Sequence, residues 1–151
     1  MYITWNTALS VGKEKLKEDK AKSSIILFDG YCNLCNSTVR FVLTHDRKKL
    51  FCYSTLQSET SKLLLEEFPL TNKDTETVVL IRNGKKYLRS TAILQIFKLL
   101  GFPWSLFLLA KLIPINLLDK IYSYISARRY KWFGKRNRCM VPNGSEMKRF
   151  L

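Results

Sequence analysis

Cysteine is scarce in this chain, which has four in 151 residues. Four are too few to hold a chain of this length together as a disulfide scaffold. Residues 1–6 also lack the basic start, the apolar core and the small-residue cleavage site of a secretory signal. In a chain without such a signal, a close cysteine pair is typical of catalysis or metal binding. We therefore expect the reducing cytoplasm as the compartment.

Long apolar runs are also missing from the sequence. The longest stretch, residues 102–118, is interrupted by Lys111, Pro114 and Asn116. It falls short of the roughly 20 residues that a membrane-spanning helix needs. We interpret it as a buried or interfacial helix and expect no transmembrane segment, while peripheral contact with a membrane surface stays open.

Acidic residues are outnumbered, with 12 Asp and Glu against 26 Lys and Arg, which gives a formal net charge of +14. Residues 120–149 alone hold nine basic residues and one acidic residue, Glu146. Such a segment favours anionic partners: nucleic acid, an acidic membrane surface, or an acidic protein or thiol substrate. Charge indicates the kind of partner and leaves the chemistry open.

The composition fits one globular domain, because 46% of the residues are hydrophobic and half of so short a chain would bury too little surface. Residues 1–22 end in a mixed-charge run, and we predict a charged N-terminal arm there. Residues 23–151 are the single predicted domain, with a core at 23–101 and a helical extension at 102–151.

Short apolar or alternating runs predict four strands. They are residues 25–28, 51–54, 77–81 and 85–88. Asn83-Gly84 is a favoured hairpin turn between the last two, whereas the first two are separated by a helix of crossover length and should pair in parallel. Ser58 and Ser90 are predicted to cap two further helices, and Gly101 to close the second of them.

Two more helices are predicted beyond the core, at residues 104–113 and 115–127. The order of elements matches one fold class, α/β, with a thioredoxin-like mixed four-stranded sheet flanked by helices. The C-terminal extension is helical in this prediction.

The chemistry is carried by Cys32-Asn33-Leu34-Cys35, where the first strand turns into a helix. A spacing of i and i+3 puts both sulfurs on one helix face, close enough to bridge. Unpaired N–H groups and the helix dipole at Cys32 lower a thiol pKa from about 8.5 and favour the thiolate that attacks disulfides. We therefore predict Cys32 as the nucleophile and Cys35, the better-shielded thiol, as the resolving one.

The neighbours of the cysteine pair complete the predicted site. Asp29 lies three residues before Cys32, where its charge would raise the thiol pKa by repulsion. We assign Asp29 to proton transfer for the resolving thiol, with capping of the helix turn as the alternative. Gly30 permits a tight turn and close approach of a substrate, and Gly30, Tyr31 and Asn33 are the predicted substrate-binding residues.

A lone C-x-x-C motif also begins many zinc sites. A structural zinc site needs four ligands, and the other candidates, Cys52, Cys139 and His45, are singly placed. This ligand count favours the redox interpretation over zinc. We therefore expect neither a metal nor an organic cofactor.

Residues 29–35, with the sequence DGYCNLC, resemble the D-G-x-C-x-x-C signature of the DCC thiol–disulfide oxidoreductases, a family named for its Asp-Cys-Cys pattern. Further stretches similar to that family extend to the C-terminus: residues 56–59, 78–80, 89–92 and 129–134, and Cys139 with Val141-Pro142. The resemblance implies a thioredoxin-like fold and thiol–disulfide exchange.

The remaining cysteines and the histidine have plainer interpretations. Cys52 lies on a predicted strand and is interpreted as a buried, inert thiol. Cys139 lies in the basic tail, where it either packs or meets the active site as a third thiol. His45 ends the helix that the cysteines begin, too far along the axis to act on Cys32.

Residues 128–138 hold six basic side chains interleaved with Tyr130, Trp132 and Phe133. Such a mixture can bind single-stranded nucleic acid. No nucleic-acid module is recognisable, so we expect the rings to pack on the core while the charges stay in water. A third interpretation is a positive potential near Cys32 that attracts anionic thiols such as glutathione.

The sequence thus predicts an enzyme of the protein-disulfide reductase type. Its expected substrate is a disulfide-containing protein or a low-molecular-weight thiol, with no specific nucleic acid partner and the oligomeric state left open. The alternative is a non-catalytic binding module that uses its basic tail on nucleic acid or an anionic membrane surface.

Overall fold

A computed structural model of the chain describes residues 24–71, 77–135, 144 and 147–150. The predicted N-terminal arm at residues 1–22 and the tail cysteine Cys139 lie outside the described residues. The division into an arm and a single domain therefore stays a prediction.

Four strands form one mixed sheet, as the sequence predicts. They are β1 (Ser24–Phe28), β2 (Phe51–Thr55), β3 (Val79–Arg82) and β4 (Lys85–Leu88). The order across the sheet is β2-β1-β3-β4. β1 pairs in parallel with β2 and antiparallel with β3, and β3 pairs antiparallel with β4. This is the thioredoxin-like arrangement expected from the order of elements.

The hairpin between β3 and β4 follows the predicted turn chemistry. Asn83 and Gly84 have positive φ angles of 51° and 69°. Two consecutive residues in the left-handed region match the right-handed twist of the paired strands, and Asn-Gly adopts that conformation readily. The turn therefore sets the register that pairs Val79 with Leu88.

Helices cover both faces of the sheet and continue beyond it. The α-helices are α1 (Asn33–His45), α2 (Glu59–Glu67), α3 (Arg89–Leu100) and α4 (Ile115–Phe133), and 3-10 helices span Trp104–Leu112 and Met147–Arg149. β1 is buried throughout, and its alternate residues enter two separate clusters. Ile26 and Phe28 pack with α1 and α3, whereas Ile25 and Leu27 pack with Leu64 of α2.

Of the two predicted serine caps, one is confirmed and one is wrong. The Ser58 hydroxyl accepts a hydrogen bond from the Ser61 backbone N–H at 3.1 Å and caps α2. α3 begins at Arg89 with no side-chain cap, and the Ser90 hydroxyl instead donates to Asp119 of α4. Ser90 therefore holds the extension against the core, a contact that local sequence cannot reveal.

Of the two interpretations of residues 102–118, the buried helix is wrong and the interfacial helix stays a prediction. Trp104–Leu112 is a 3-10 helix with no buried residue, and Phe102 and Leu112 are 83% and 86% exposed. α4 continues six residues past the predicted end at residue 127. No helix within the described part of the chain is both long and apolar enough to cross a membrane.

Candidate active site

The cysteine pair sits where β1 ends and α1 begins, and the backbone there is held by local hydrogen bonds. Cys32 is the N-cap residue of α1 and Cys35 lies in its first turn. The Cys32 N–H donates to the Asp29 carbonyl at 3.3 Å. The buried Asn36 side chain donates to the Gly30 carbonyl at 3.0 Å. The strand-to-helix turn is thus fixed before any substrate arrives.

Both thiols are unbridged and buried, with Cys32 0% and Cys35 5% exposed. Both thiols are shielded, so the expectation that Cys35 is the better shielded of the two stays a prediction. The helix start alone would leave Cys32 at the surface, but another part of the chain covers it, as described below.

The two thiols have opposite acidities. The pKa of Cys32 is lowered from 9.0 to about 6, first by a side-chain hydrogen bond from Cys35, then by the Cys35 and Leu34 backbone N–H groups and by Arg129, against the opposing effect of burial. The pKa of Cys35 is strongly raised, by the same hydrogen bond to Cys32, by burial and by the Cys32 charge. At neutral pH the arrangement favours a Cys32 thiolate that accepts a hydrogen bond from a Cys35 thiol.

A guanidinium group from the far end of the chain completes the thiol environment. Arg129 of α4 is 3% exposed, and its Nη1 lies 3.8 Å from the Cys35 Sγ. Its positive charge lowers the pKa of both thiols. The preferred interpretation of the sequence assigned Arg129 with the basic cluster to solvent and is wrong here, whereas the third interpretation, a positive potential near Cys32, agrees with the position of Arg129.

Asp29 is 5% exposed and is the anchor of this guanidinium. The Asp29 Oδ1 accepts hydrogen bonds from the Tyr31 N–H at 3.0 Å and from Gln57 Nε2 at 3.1 Å. Its Oδ2 accepts from Arg129 Nη2 at 3.3 Å and from the Tyr130 hydroxyl. Four hydrogen bonds occupy about all the lone pairs that a carboxylate offers. The Asp29 charge also raises the pKa of Cys35, so repulsion acts on the resolving thiol.

The end of α4 covers the start of α1. The Asn33 side chain donates to the Phe133 carbonyl at 2.7 Å, and the Asn33 N–H donates to the Gly134 carbonyl at 3.5 Å. Cys32 and Lys135 form an isolated antiparallel β-bridge. We call residues 133–135 the cap segment. Its pairing with Cys32 and Asn33 explains how a thiol at a helix start is buried.

The predicted substrate-binding residues already have partners within the chain. The Gly30 N–H donates to Gln57 Oε1 at 3.3 Å and the Gly30 carbonyl accepts from Asn36. Tyr31 is half-buried beside Asp29, and Asn33 contacts the cap segment. The structure places Gly30, Tyr31 and Asn33 next to the thiols, and their binding of substrate stays a prediction.

A small apolar cavity of about 180 Å³ opens beside Cys35. Side chains from α1, α3 and α4 and from the residue just before β3 line it: Leu34, Cys35, Thr38, Val78, Ile93, Tyr122, Ile125, Ser126 and Arg129. A cavity of roughly 150 Å³ admits one aromatic ring. Tyr122 accepts a hydrogen bond from the Val78 N–H at 3.1 Å at its edge.

Gln57, Arg129 and Tyr130 were missed as site residues because they lie far from the cysteines in sequence. One signal was available: all three fall within stretches that resemble the DCC family, at residues 56–59 and 129–134. The expectation that the rings of the basic cluster pack while its charges stay in water is wrong at three positions. Arg129 is buried, whereas Trp132 and Phe133 are 53% and 48% exposed.

Metal ligands do not gather among the described residues, where no three His, Cys, Asp or Glu side chains are grouped to hold an ion. His45 ends α1 as expected. Its Nδ1 lies 2.7 Å from the Phe41 carbonyl, and its ring packs against Trp104.

Comparisons with known proteins agree with this geometry. A family model described as DCC1-like thiol–disulfide oxidoreductase matches residues 26–135. The uncharacterized protein YuxK of Bacillus subtilis is 41% identical over 136 residues, which are 90% of this chain and 99% of the relative. A DCC family protein of Arabidopsis thaliana, described as chloroplastic, is 37% identical over 122 residues, 80% of this chain and 71% of the relative. No solved structure matches the chain significantly.

Proposed function

Because this chain belongs to the DCC1-like thiol–disulfide oxidoreductase family, we propose that it exchanges disulfides through Cys32 as nucleophile and Cys35 as resolving thiol. The observation that carries this proposal is the geometry of the pair: Cys32 is the N-cap residue of α1, Cys35 lies in the first turn, and Arg129 Nη1 lies 3.8 Å from the Cys35 Sγ. A pKa of about 6 at Cys32 and a raised pKa at Cys35 agree with this geometry. Cys32 is then a thiolate that can attack, and Cys35 stays protonated until the mixed disulfide has formed.

The proposed reaction has two steps. The Cys32 thiolate attacks one sulfur of a substrate disulfide, the substrate S–S bond breaks, and the leaving thiolate takes a proton. Cys35 then loses its proton and attacks the Cys32 sulfur of the mixed disulfide. The second substrate thiol leaves, so the substrate gains two electrons and the Cys32–Cys35 pair is oxidised to a disulfide. A thiol reductant must restore the pair.

Arg129 is the proposed positioning residue for both steps. Its guanidinium is buried 3.8 Å from the Cys35 Sγ, and in a low-dielectric site a fixed positive charge stabilises a thiolate strongly. It favours the Cys32 thiolate before attack and the Cys35 thiolate as it forms.

Asp29 is proposed to assist proton transfer from Cys35, as the sequence predicts, and also to hold Arg129 in place. The four hydrogen bonds to its carboxylate support the second role directly. Asp29→Asn separates the two: loss of proton transfer slows only the resolving step, whereas loss of the anchor also raises the pKa of Cys32.

The proposed substrate is a disulfide-bearing protein or a low-molecular-weight disulfide, reduced in the manner of a protein-disulfide reductase. Gly30, Tyr31 and Asn33 lie next to Cys32 and are the proposed contacts for the backbone of a protein substrate. An apolar side chain next to the substrate cysteine fits the cavity beside Cys35, whose volume is about 180 Å³. We propose the reducing cytoplasm as the compartment, because a close cysteine pair in a chain with only four cysteines is typical of an enzyme in a reducing environment. Because the plant relative is described as chloroplastic, fractionation of cells is the test of that proposal.

The test is a redox titration of the whole chain in glutathione buffers, with thiols trapped and read by mass after proteolysis. We expect one reversible two-electron transition that links Cys32 and Cys35. Cys32→Ser should abolish the reduction of an insulin disulfide, and Cys35→Ser should accumulate a mixed disulfide on Cys32. Cys52→Ser is the matched control and should leave both behaviours intact.

The proposal fails if the pair never bridges across the titration, or if Cys52→Ser lowers activity as much as Cys32→Ser does. A chain that binds zinc at Cys32 and Cys35 with loss of thiol reactivity would also contradict it.

A further inference from the structure

The helix α4 carries two apolar faces, and only one is covered. Its inner face includes Tyr122, Ser126 and Arg129, which line the cavity beside Cys35. A second stripe, with a spacing of three or four residues, lies about a third of a turn around the helix from the inner face: Leu117, Ile121, Tyr124, Arg128 and Trp132. Its apolar members are 48% to 54% exposed. We call these five residues the outer stripe.

The exposed apolar surface does not end with the outer stripe. The chain that leads into α4 exposes further large side chains: Phe102, Leu106, Phe107, Leu109, Leu112, Ile113 and Ile115 are 40% to 86% exposed. In the core, by contrast, nearly all large apolar residues of the sheet are buried. Single exposed apolar residues are ordinary, but so many of them along one segment of the chain are typical of a binding surface.

The charge around this surface is positive. Residues 102–135 hold six basic residues and one acidic residue, Asp119, which is engaged by Ser90. Within the outer stripe, the Arg128 guanidinium lies 4.0 Å from the centroid of the Tyr124 ring, and Tyr124 makes an edge contact with Trp132. Arginine among aromatic and aliphatic side chains on one exposed helix face is typical of helices that lie in a membrane interface.

We propose that this chain docks peripherally on an anionic lipid surface through the outer stripe and the exposed apolar residues of 102–115. The aliphatic and aromatic side chains enter the boundary between headgroups and acyl chains, and Arg128, Lys131 and Lys120 contact lipid phosphates. The docked state needs no thiol chemistry, so it goes beyond disulfide exchange and stands independently of it.

Two other occupants fit the surface less well. A second copy of the chain would bring two positively charged faces together, which repel each other. Nucleic acid would use the arginine and the aromatic rings, but it offers nothing to Leu106, Leu109 and Leu112, which are aliphatic. An anionic bilayer matches both the charge and the apolar side chains.

The experiment is flotation of the reduced, full-length chain with vesicles of phosphatidylcholine alone or of an equal mixture with phosphatidylglycerol. We expect binding to the anionic vesicles at least tenfold tighter than to the neutral ones. Because the attraction is screened by salt, binding should weaken several-fold when salt is raised from about 0.1 M to about 0.5 M.

Matched variants separate this surface from net charge. Arg128→Gln with Lys131→Gln should weaken binding to anionic vesicles by about tenfold, since each basic residue near the surface contributes. Lys62→Gln with Lys85→Gln removes the same charge from exposed positions in α2 and β4 and should change binding less than twofold. Leu112→Ser with Trp132→Ser should reduce the apolar contribution and make the remaining binding more sensitive to salt.

Circular dichroism and thermal unfolding check that each variant is folded. Brominated acyl chains give a second measurement, since they should quench the fluorescence of the unaltered chain and quench Trp132→Phe less. Equal binding to neutral and anionic vesicles, or no flotation, overturns the proposal. So does a dimer that Leu112→Ser with Trp132→Ser dissociates, or binding of single-stranded RNA that the same pair of changes abolishes.

Discussion

The core at residues 24–101 and the extension from residue 102 onward use similar apolar residues in opposite ways. Leu80 in β3 is 0% exposed, whereas Leu112 at the end of the first 3-10 helix is 86% exposed. In α4, the buried residue is an arginine, Arg129. The extension packs a few rings on the core, such as Trp104 against Phe41, and leaves many other apolar side chains exposed. It also contributes the charge beside the thiols and the cap segment over Cys32, so an element that is largely exposed still shapes the site.

The most direct test of this contrast is to truncate one leucine to alanine in the core and one in the extension. Leu80→Ala should lower the free energy of unfolding by about 3 kcal/mol, because it removes buried atoms and leaves a cavity. Leu112→Ala should change it by less than about 0.5 kcal/mol, since the side chain is exposed. Urea unfolding of both variants gives the two values. Comparable losses would mean that the extension packs as the core does.

Adjacent arginines give the next largest effect. Arg129→Met should cost about 3 kcal/mol of stability, because the buried Asp29 loses its charged partner, and should raise the pKa of Cys32. Arg128→Met loses a contact with an exposed tyrosine ring, worth about 0.5–1 kcal/mol. Urea unfolding measures the stability, and a pH series of thiol alkylation measures the pKa. Equal effects from the two substitutions would contradict the role of Arg129.

The pH dependence of Cys32 follows from its lowered pKa of about 6. Only the thiolate reacts, so alkylation by iodoacetamide should rise about tenfold from pH 5 to pH 8 and then level off. A lowered pKa in the folded state also stabilises the reduced chain above the ordinary value of 9.0, and this stabilisation is lost as pH falls through about 6. Alkylation of Cys32 that still rises steeply above pH 8, as it does in the urea-unfolded chain, would contradict this assignment.

The smallest predicted effect concerns the cap segment. Gly134 has φ +81°, and a Cβ there would approach the Asn33 Nδ2 to 3.2 Å. Gly134→Ala should loosen the pairing with Asn33 and increase the alkylation rate of Cys32 about threefold at fixed pH. Gly84→Ala is the matched control, because Gly84 also has positive φ but a Cβ there meets nothing within 4 Å. Equal rates in the two variants would contradict the covering role of the cap segment.

Local sequence was sufficient wherever local physics decides the structure. Asn83-Gly84 determined the hairpin, Ser58 capped its helix, and the C-x-x-C spacing located the thiols at a helix start. The apolar runs predicted all four strands to within two residues at each end. In each case the deciding interaction lies within a few residues along the chain.

The remainder depended on contacts between distant residues. Asp29 and Arg129 are a hundred positions apart in the sequence. Because Arg129 belongs to the basic cluster at residues 128–138, the sequence indicated that it lies on a solvated surface. Ser90 seemed a cap because its partner, Asp119, is chosen by helix packing. The burial of Cys32 required residues 133–135 to return to the start of α1. Residue spacing and composition do not reveal such contacts between residues that are distant in the sequence.

The cap segment covers the Cys32 sulfur, so the acidity of this thiol and its access to reagents are set by different parts of the structure. A thiolate with a low pKa is the species that peroxides convert to sulfenic and then sulfinic acid, the second of which ends its usefulness. Because Cys32 has no exposed surface, we expect slow oxidation by peroxide while the cap segment is paired, although the pKa of the thiol is lowered to about 6. A polypeptide substrate would have to displace Lys135 from its bridge with Cys32, and its own backbone would then take the place of the cap segment.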